Sequence, residues 1–436
     1  MNEFKEFGLS DQLLENLKDI GITEPTEIQR KTLPLTLKGR DVIGGSATGS
    51  GKTIAFSASL IENMKSRKEI NGVQALILTP TRELAEQVSE AIKQVSKGFP
   101  VKVVPVYGGV SIEKQINQIP HANIVVGTPG RILDHFRRKT LSLSHVKYLV
   151  LDEVDRMFEM GFQEDVEKII RPCPKDRQTL MFSATVSAEL DYLAKKHTKN
   201  PEKVVVKSLV DPTKLRQVFY DVQPNKKFSL LVQLLKQEES GGVMVFCNTR
   251  NNVDFVARNL QLNDIDARAI HGGLNQNKRQ EVLDKFHKKE TKVLVCTDVA
   301  ARGLDIKGVT HIYNYDIPDN SKEYIHRIGR TARAGEEGIA INIITNKDYI
   351  TFSDIEGDKN LNIEKLDHPP IQRAKMKVLE SDRKGKSKNR SGKGRFNNKS
   401  HGRGRGEGRG RNFKKGKGSF NRNKYPGNKK RSNKRR

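Results

Sequence analysis

The stretch "GGSATGSGKT", residues 44–53, decides how the rest of the chain is read. It follows the apolar run "RDVIGG" and opens the helix-length run "TIAFSASLIENM". Strand, glycine-rich loop and helix is the context a phosphate-binding loop requires. The backbone from Ser46 through Ala47, Thr48, Gly49, Ser50 and Gly51 is expected to wrap phosphate oxygens, its glycines letting N–H groups converge with no Cβ in the way. The helix start adds its dipole, Lys52 a positive charge and the Thr53 hydroxyl a magnesium ligand. The strict pattern has glycine six positions before the lysine, where this chain has Ser46. The alternative is a turn ahead of a core helix.

Outward from this loop, short β-branched runs alternate with helix-length segments, the pattern of a doubly wound parallel α/β fold. The strands expected before residue 207 are "RDVIGG", "QALILTP", "VKVVPVY", "ANIVVGTP", "VKYLVLDE", "RQTLMFSAT" and "EKVVV". The pattern pauses at "KSLVDPTKLRQ" (207–217), then resumes with "QVFYDV", "GGVMVFCN", "DARAIHGG", "TKVLVCTD", "VTHIYNYD" and "GIAINIIT". With 436 residues the chain is too long for one compact core, so two tandem α/β domains are expected, joined by a linker at 208–217. Periodicity ends near Pro369, and the polar segment beyond cannot bury enough apolar surface to offset chain entropy. A disordered tail is therefore expected over 367–436.

Charge is concentrated in that tail. Residues 383–436 carry 23 Lys and Arg against one acid, Glu407, about +22 of the net +27. A near-neutral body bearing a polycation points to nucleic acid. Phe396, Phe413, Phe420 and Tyr425 are spaced among the charges, which pairs phosphate neutralisation with base stacking. No apolar run is long enough for a membrane span, and the start has no secretory pattern. Three scattered cysteines, Cys173, Cys247 and Cys296, suit a reducing cytoplasm better than a disulfide framework or zinc site.

The phosphate loop changes the meaning of "LVLDEVDRMFEMGF", residues 149–162. Phosphoryl transfer needs a carboxylate on the magnesium ion and a group near the attacking water, both at the carboxyl end of a strand beside the loop. Asp152 and Glu153 end "KYLVL" and fit by position and type. Without a phosphate loop they would read as a solvated acidic turn.

Together these motifs resemble, over residues 1 to about 365, the DEAD-box RNA helicases of helicase superfamily 2, in a bacterial form with a basic tail. The resemblance implies two RecA-like domains, ATP and Mg2+ as cofactors, and RNA as partner. It divides the chain into an adenine-sensing segment (1–31), an ATP-binding domain (32–207), the linker, and a C-terminal domain (218–366). "GITEPTEIQ" (21–29) resembles the adenine-sensing motif, with Gln29 bonding adenine and Phe4 as a stacking face. "PTREL", Gly108-Gly109 and "TPGR" match backbone RNA contacts, assigning Thr81, Arg82, Gly109, Thr128 and Arg131. "SAT" implies that Ser183 and Thr185 hold Asp155 and couple hydrolysis to unwinding. In the second half, "VFCNTR", Gln276 with Arg279, and "CTDVAARGLD" assign Arg250, Gln276, Arg279 and Thr297 to RNA and Asp305 to the ribose. "HRIGRTAR" (326–333) lies on an apparent helix. There Arg330 and Arg333 share a face and match arginine fingers, while His326 and Arg327 tie the helix to motifs across the cleft.

Lys52, Thr53, Asp152 and Glu153 thus fall in one domain and Asp305, Arg330 and Arg333 in the other, so the resemblance implies a site completed only when the domains close. An arginine finger is worth about 10³ to 10⁵ in rate, which leaves an open enzyme nearly silent. The rival readings are an ATP-inactive RNA-binding or annealing protein, and a DNA helicase of the same superfamily. Ribosome assembly and RNA-decay complexes are both settings the family occupies. Val154 departs from the family's alanine at the signature motif, and its added methyls are expected to lie beneath the nucleotide.

Overall fold

The computed structural model describes residues 3–46, 49–65, 72–184, 187–206, 215–237, 241–301, 306, 308–332 and 337–377. The basic residues from 378 onward lie outside them.

Fourteen described strands form two sheets. In the first lobe these are β1 (Val42–Gly45), β2 (Ala75–Leu78), β3 (Val103–Val106), β4 (Ile124–Gly127), β5 (Tyr148–Leu151), β6 (Gln178–Ser183) and β7 (Glu202–Val205). In the second they are β8 (Leu215–Asp221), β9 (Gly242–Phe246), β10 (Ala267–Ile270), β11 (Val293–Cys296), β12 (Val309–Asn314), β13 (Gly338–Ile344) and β14 (Ile363–Leu366). All pairings are parallel. The orders are β3-β4-β2-β5-β6-β1-β7 and β10-β11-β9-β12-β13-β8-β14. Each strand of the second sheet stands where the strand seven places earlier stands in the first, so the chain builds one RecA-like fold twice.

The expected strands are all present, and their apolar runs reflect burial on both faces. Every residue of β1, β2, β4, β5 and β6 is buried, as parallel sheets covered by crossover helices demand. One face of the first sheet packs on helices Lys52–Lys65 and Arg82–Val95, the other on Pro129–Arg137, Val154–Glu159 and Gln163–Ile170.

Four expectations shift. The N-terminal segment is part of the first lobe: Phe4, Leu13, Leu17 and Ile28 enter its core, and helix Glu27–Leu37 runs across the expected boundary. Strand β8 begins at Leu215, inside the expected linker. Strand β14, "IEKL", has no fully buried residue, so it lacked the apolar signal that marks the others. Residues 371–377, expected in the tail, are held against the second lobe. Asn263 pairs with the backbone of Lys375 through both N–H and C=O, and Asn259 does the same with Lys377.

Candidate active site and RNA-facing cleft

The carboxyl ends of three adjacent strands, β1, β6 and β5, carry the glycine loop, the start of "SAT" and the acidic turn in that order. The sheet thus brings together motifs more than 100 residues apart, at the edge where such folds bind ligands. Ser46 prolongs the β1–β6 ladder, its N–H donating to Ser183 O at 2.9 Å. The Ser50 hydroxyl donates to Ser46 Oγ at 2.9 Å, so the serine standing in place of glycine closes the loop on itself. Lys52 opens its helix, is buried, and donates through Nζ to Ser46 O at 3.0 Å. Gly51 has φ +93°, and a Cβ there would fall 2.5 Å from Gln29 Nε2. Ala47 and Thr48 lie outside the described residues.

The two residues assigned to the adenine side both have partners within the protein. Gln29 is buried with its amide engaged inside the protein: Oε1 accepts from Thr26 N–H and Nε2 donates to Gly51 O, both at 2.9 Å. It fastens the N-terminal segment to the phosphate loop. Phe4 is 0% exposed in the core of the first lobe and stands edge-to-face against Phe7 with centroids 6.3 Å apart.

At the acidic turn, Asp152 N–H continues the β5–β2 ladder to Leu78 O, and Asp152 Oδ1 accepts from Glu153 N–H at 3.0 Å. Burial pushes the Asp152 carboxyl up to about 6, opposed by the Lys52 ammonium and reinforced by the Glu153 carboxylate. Glu153 has left-handed backbone angles, φ 52° and ψ 54°, a conformation uncommon for a non-glycine residue and frequent at functional sites. Asp155 Oδ1 accepts from Arg156 N–H at 3.0 Å; Thr185, expected to hold Asp155, lies outside the described residues. Val154 is 0% exposed in the apolar cluster with Leu151, Met157 and Met181. That cluster lies on the sheet face away from helix Lys52–Lys65, so the methyls enter the core, not the space beneath the nucleotide.

These groups fit ATP and a divalent cation. A buried ammonium with converging backbone suits a polyphosphate, and a carboxylate reluctant to ionise gains from a neighbouring cation. One carboxylate and one hydroxyl, Asp152 and Thr53, match the sparse protein ligation usual for Mg2+ beside phosphates.

The ends of β2, β4 and β3 make the other half of the same edge. Thr81 caps helix Arg82–Val95, its Oγ1 accepting from Leu84 N–H at 3.3 Å. Arg82 lies over Gly109, whose φ is +86° and where any Cβ would collide with the guanidinium. Thr128 begins helix Pro129–Arg137, and Arg131 holds the glycine loop by donating to Val110 O at 3.3 Å. The second lobe repeats this layout: Thr249-Arg250 follow β9, Gly272-Gly273 follow β10, and Thr297 follows β11. Thr81, Arg82, Thr128, Arg131, Gln276 and Arg279 line one interlobe cleft of about 470 Å³.

The second lobe does not repeat the nucleotide half. The loop after β8, "VQPNK", has no glycine. Lys227, in the place of Lys52, pairs with Asp348 at 3.1 Å and lies over Tyr315, which follows β12 as Asp152 follows β5. Among the described residues, the glycine-rich loop ahead of a buried helix-opening lysine occurs in the first lobe alone.

Three further assigned residues have partners within the protein. Arg279 pairs through Nη1 with Glu83 of the first lobe at 2.7 Å, an interlobe contact. Arg327 is 1% exposed and satisfied within its own lobe by Asp298, Asn314, Asp316 O and Asn248; it does not reach across the cleft. The helix expected over 326–333 ends at Ile328, which leaves Arg330 in the following turn, buried, with Nε donating to His326 O at 3.3 Å. Asp305 and Arg333 lie outside the described residues. Sequence reasoning missed Arg156, whose Nη2 donates to Val299 O of the second lobe at 3.1 Å, and the Lys322–Glu159 interlobe pair at 2.6 Å.

Residues 26–193 match the DEAD/DEAH box helicase family and residues 226–335 the helicase conserved C-terminal domain. The chain is 44% identical over 376 residues to the DEAD-box ATP-dependent RNA helicase CshA of Bacillus cereus, covering 86% of this chain and 71% of that protein. Among solved structures, S. cerevisiae Dbp5 bound to RNA and ADP BeF3 matches with TM-score 0.77 at 31% identity, over 84% of this chain and 96% of Dbp5. A single-substitution variant of Dbp5 bound to Nup159, a Gle1 variant, IP6 and ADP matches with TM-score 0.60 at 30% identity, over 83% and 96%. Fold and site define an ATPase built of two RecA-like lobes. The chain belongs to the DEAD-box ATP-dependent RNA helicases. It is therefore an RNA-stimulated ATPase; among the described residues no helix is long and apolar enough to cross a membrane.

Proposed function

We propose that ATP is hydrolysed at the edge formed by β1, β6 and β5 while RNA lies across the cleft at the ends of β2, β4 and β3 and their second-lobe counterparts. The observation that carries this reading is the repeated Thr-Arg, Gly-Gly and Thr layout on both lobes beside a single phosphate loop. In this account Lys52 leaves Ser46 O for the phosphates, and Thr53 and Asp152 would hold Mg2+. When bound there, the metal would supply neutralisation of the charge developing on the phosphoryl group. Glu153 takes the proton of the attacking water, and Arg330 and Arg333 complete the site from the second lobe. Contacts of this kind address sugar and phosphate, so sequence preference is weak. The greater likeness to the RNA-bound relative supports reading the present lobe arrangement as the engaged one.

The action proposed is local separation of short RNA duplexes or remodelling of RNA–protein complexes, in the cytoplasm, with ribosome or RNA-decay assemblies as settings. Three buried free thiols suit that compartment. The experiment is strand separation of a short RNA duplex and its DNA equivalent, with and without ATP. Separation of the RNA duplex that needs both ATP and Lys52 is expected. Equal action without ATP would establish the annealing alternative instead.

A further inference from the structure

The short helix that follows the catalytic carboxylates, Val154–Glu159, touches the second lobe at both ends. Glu159 pairs with Lys322 on the outside. On the inside, Arg156 is buried and its guanidinium meets both lobes: Nη1 lies 3.4 Å from Glu153 Oε2, and Nη2 donates to Val299 O at 3.1 Å. Both side chains of the Glu153–Arg156 pair are about nine-tenths buried. A buried carboxylate depends on its partner for both charge and direction.

We propose that Arg156 is a positioning residue that makes the direction of Glu153 depend on lobe closure. The guanidinium is planar and its two terminal nitrogens move as one unit. Arrival of the Val299 carbonyl fixes Nη2, which fixes Nη1, which holds Glu153 Oε2. When the lobes part, the Val299 carbonyl leaves and Arg156 no longer links Glu153 to the second lobe through it. Nothing covalent changes: closure is transmitted as orientation of one carboxylate. Glu153 stands on a left-handed residue ahead of this helix, so its backbone is set by the same element that docks the second lobe. The inference rests on Glu153 being the residue that accepts the water's proton.

The test uses the full chain carrying a fluorescence donor on one lobe and an acceptor on the other. Arg156→Ala, Arg156→Lys and Lys322→Ala are compared in three measurements. These are lobe closure and RNA affinity with a non-hydrolysable ATP analogue, RNA-stimulated kcat, and the rate without RNA. Arg156→Ala is expected to close normally and to bind RNA within about twofold of wild type. Its stimulated kcat should fall at least about tenfold, the scale on which misplaced catalytic groups act, with the unstimulated rate nearly unchanged. Arg156→Lys should fall between. Lys322→Ala should keep its turnover per closed complex.

Three results would overturn the proposal: unchanged kcat in Arg156→Ala, closure lost in step with turnover, or stimulated and unstimulated rates falling by one factor. Glu153→Gln separates this from the underlying reading. If that variant turns over normally, Glu153 is not the base and the assignment above fails. If it is inactive while Arg156→Ala is normal, only the positioning role fails.

Discussion

Glu83 of the first lobe and Arg279 of the second meet as an ion pair at 2.7 Å, with side chains only 6% and 12% exposed. They sit in the cleft that also holds Thr81, Arg82 and Thr128, so one of the contacts that join the lobes lies on the surface assigned to RNA. Removing one partner of a buried pair strands the other, at a cost of about 2–5 kcal/mol. Glu83→Ala and Arg279→Ala are each expected to weaken RNA binding with an ATP analogue at least about tenfold. The exchanged double variant, Glu83→Arg with Arg279→Glu, should recover most of that loss. RNA titrations of the four proteins form the cycle that checks it.

Asp152 makes the ligand-free protein sensitive to pH in a definite direction. Its carboxyl is raised by burial from 3.8 to about 6, so between those values the folded state holds a proton that the unfolded state has lost. Stability contributed by this group is full below about 4, falls as pH rises to about 6, and stays low above. Asp152→Asn, neutral at every pH, should raise the melting temperature at pH 8 and leave it unchanged at pH 4, a gain of at most about 3 kcal/mol. The same proton competes with Mg2+, so metal-dependent nucleotide affinity should fall below pH 6. Melting curves at the two pH values decide it.

Val154 sits in the core beneath its helix, so Val154→Ala removes packed methyls. The expected result is a loss of about 1–2 kcal/mol in stability with turnover within about twofold of wild type. Paired denaturation and ATPase measurements separate this from a valine that detunes the site, which would show a large gain in kcat.

Deleting residues 383–436 removes about +22 of charge. Binding through phosphate neutralisation loses affinity steeply with salt, so the truncated protein should bind RNA more weakly and with a flatter salt slope. RNA-stimulated ATPase activity should remain. Equal slopes for the two proteins would remove the tail from the account of affinity.

How much of this was legible in the sequence follows from what each signal reports. Apolar runs mark strands buried on both faces, so β1, β5 and β6 and their counterparts were readable, while "IEKL" of β14 was not. Motif spacing places a residue at a strand end, and there Lys52, Asp152 and Glu153 fell where expected. It says nothing about which side chain another side chain chooses. Gln29 bonding Gly51, Arg327 filling its own lobe with Asp298, and Arg279 taking Glu83 depend on elements that meet only after folding. Arg156 reads in sequence as an ordinary helix arginine, and its contact with Val299 forms only when the two lobes meet.

The central claim is that the two lobes make one catalytic site when RNA joins them. ATP hydrolysis by the full chain with and without single-stranded RNA tests it most directly, beside Lys52→Ala and Arg330→Ala. RNA should raise the wild-type rate by at least about a hundredfold, in line with what completing a site with an arginine finger contributes. Lys52→Ala should be inactive in both conditions, and Arg330→Ala should lose the stimulation. Equal wild-type rates with and without RNA, or hydrolysis by Lys52→Ala matching wild type, would contradict it.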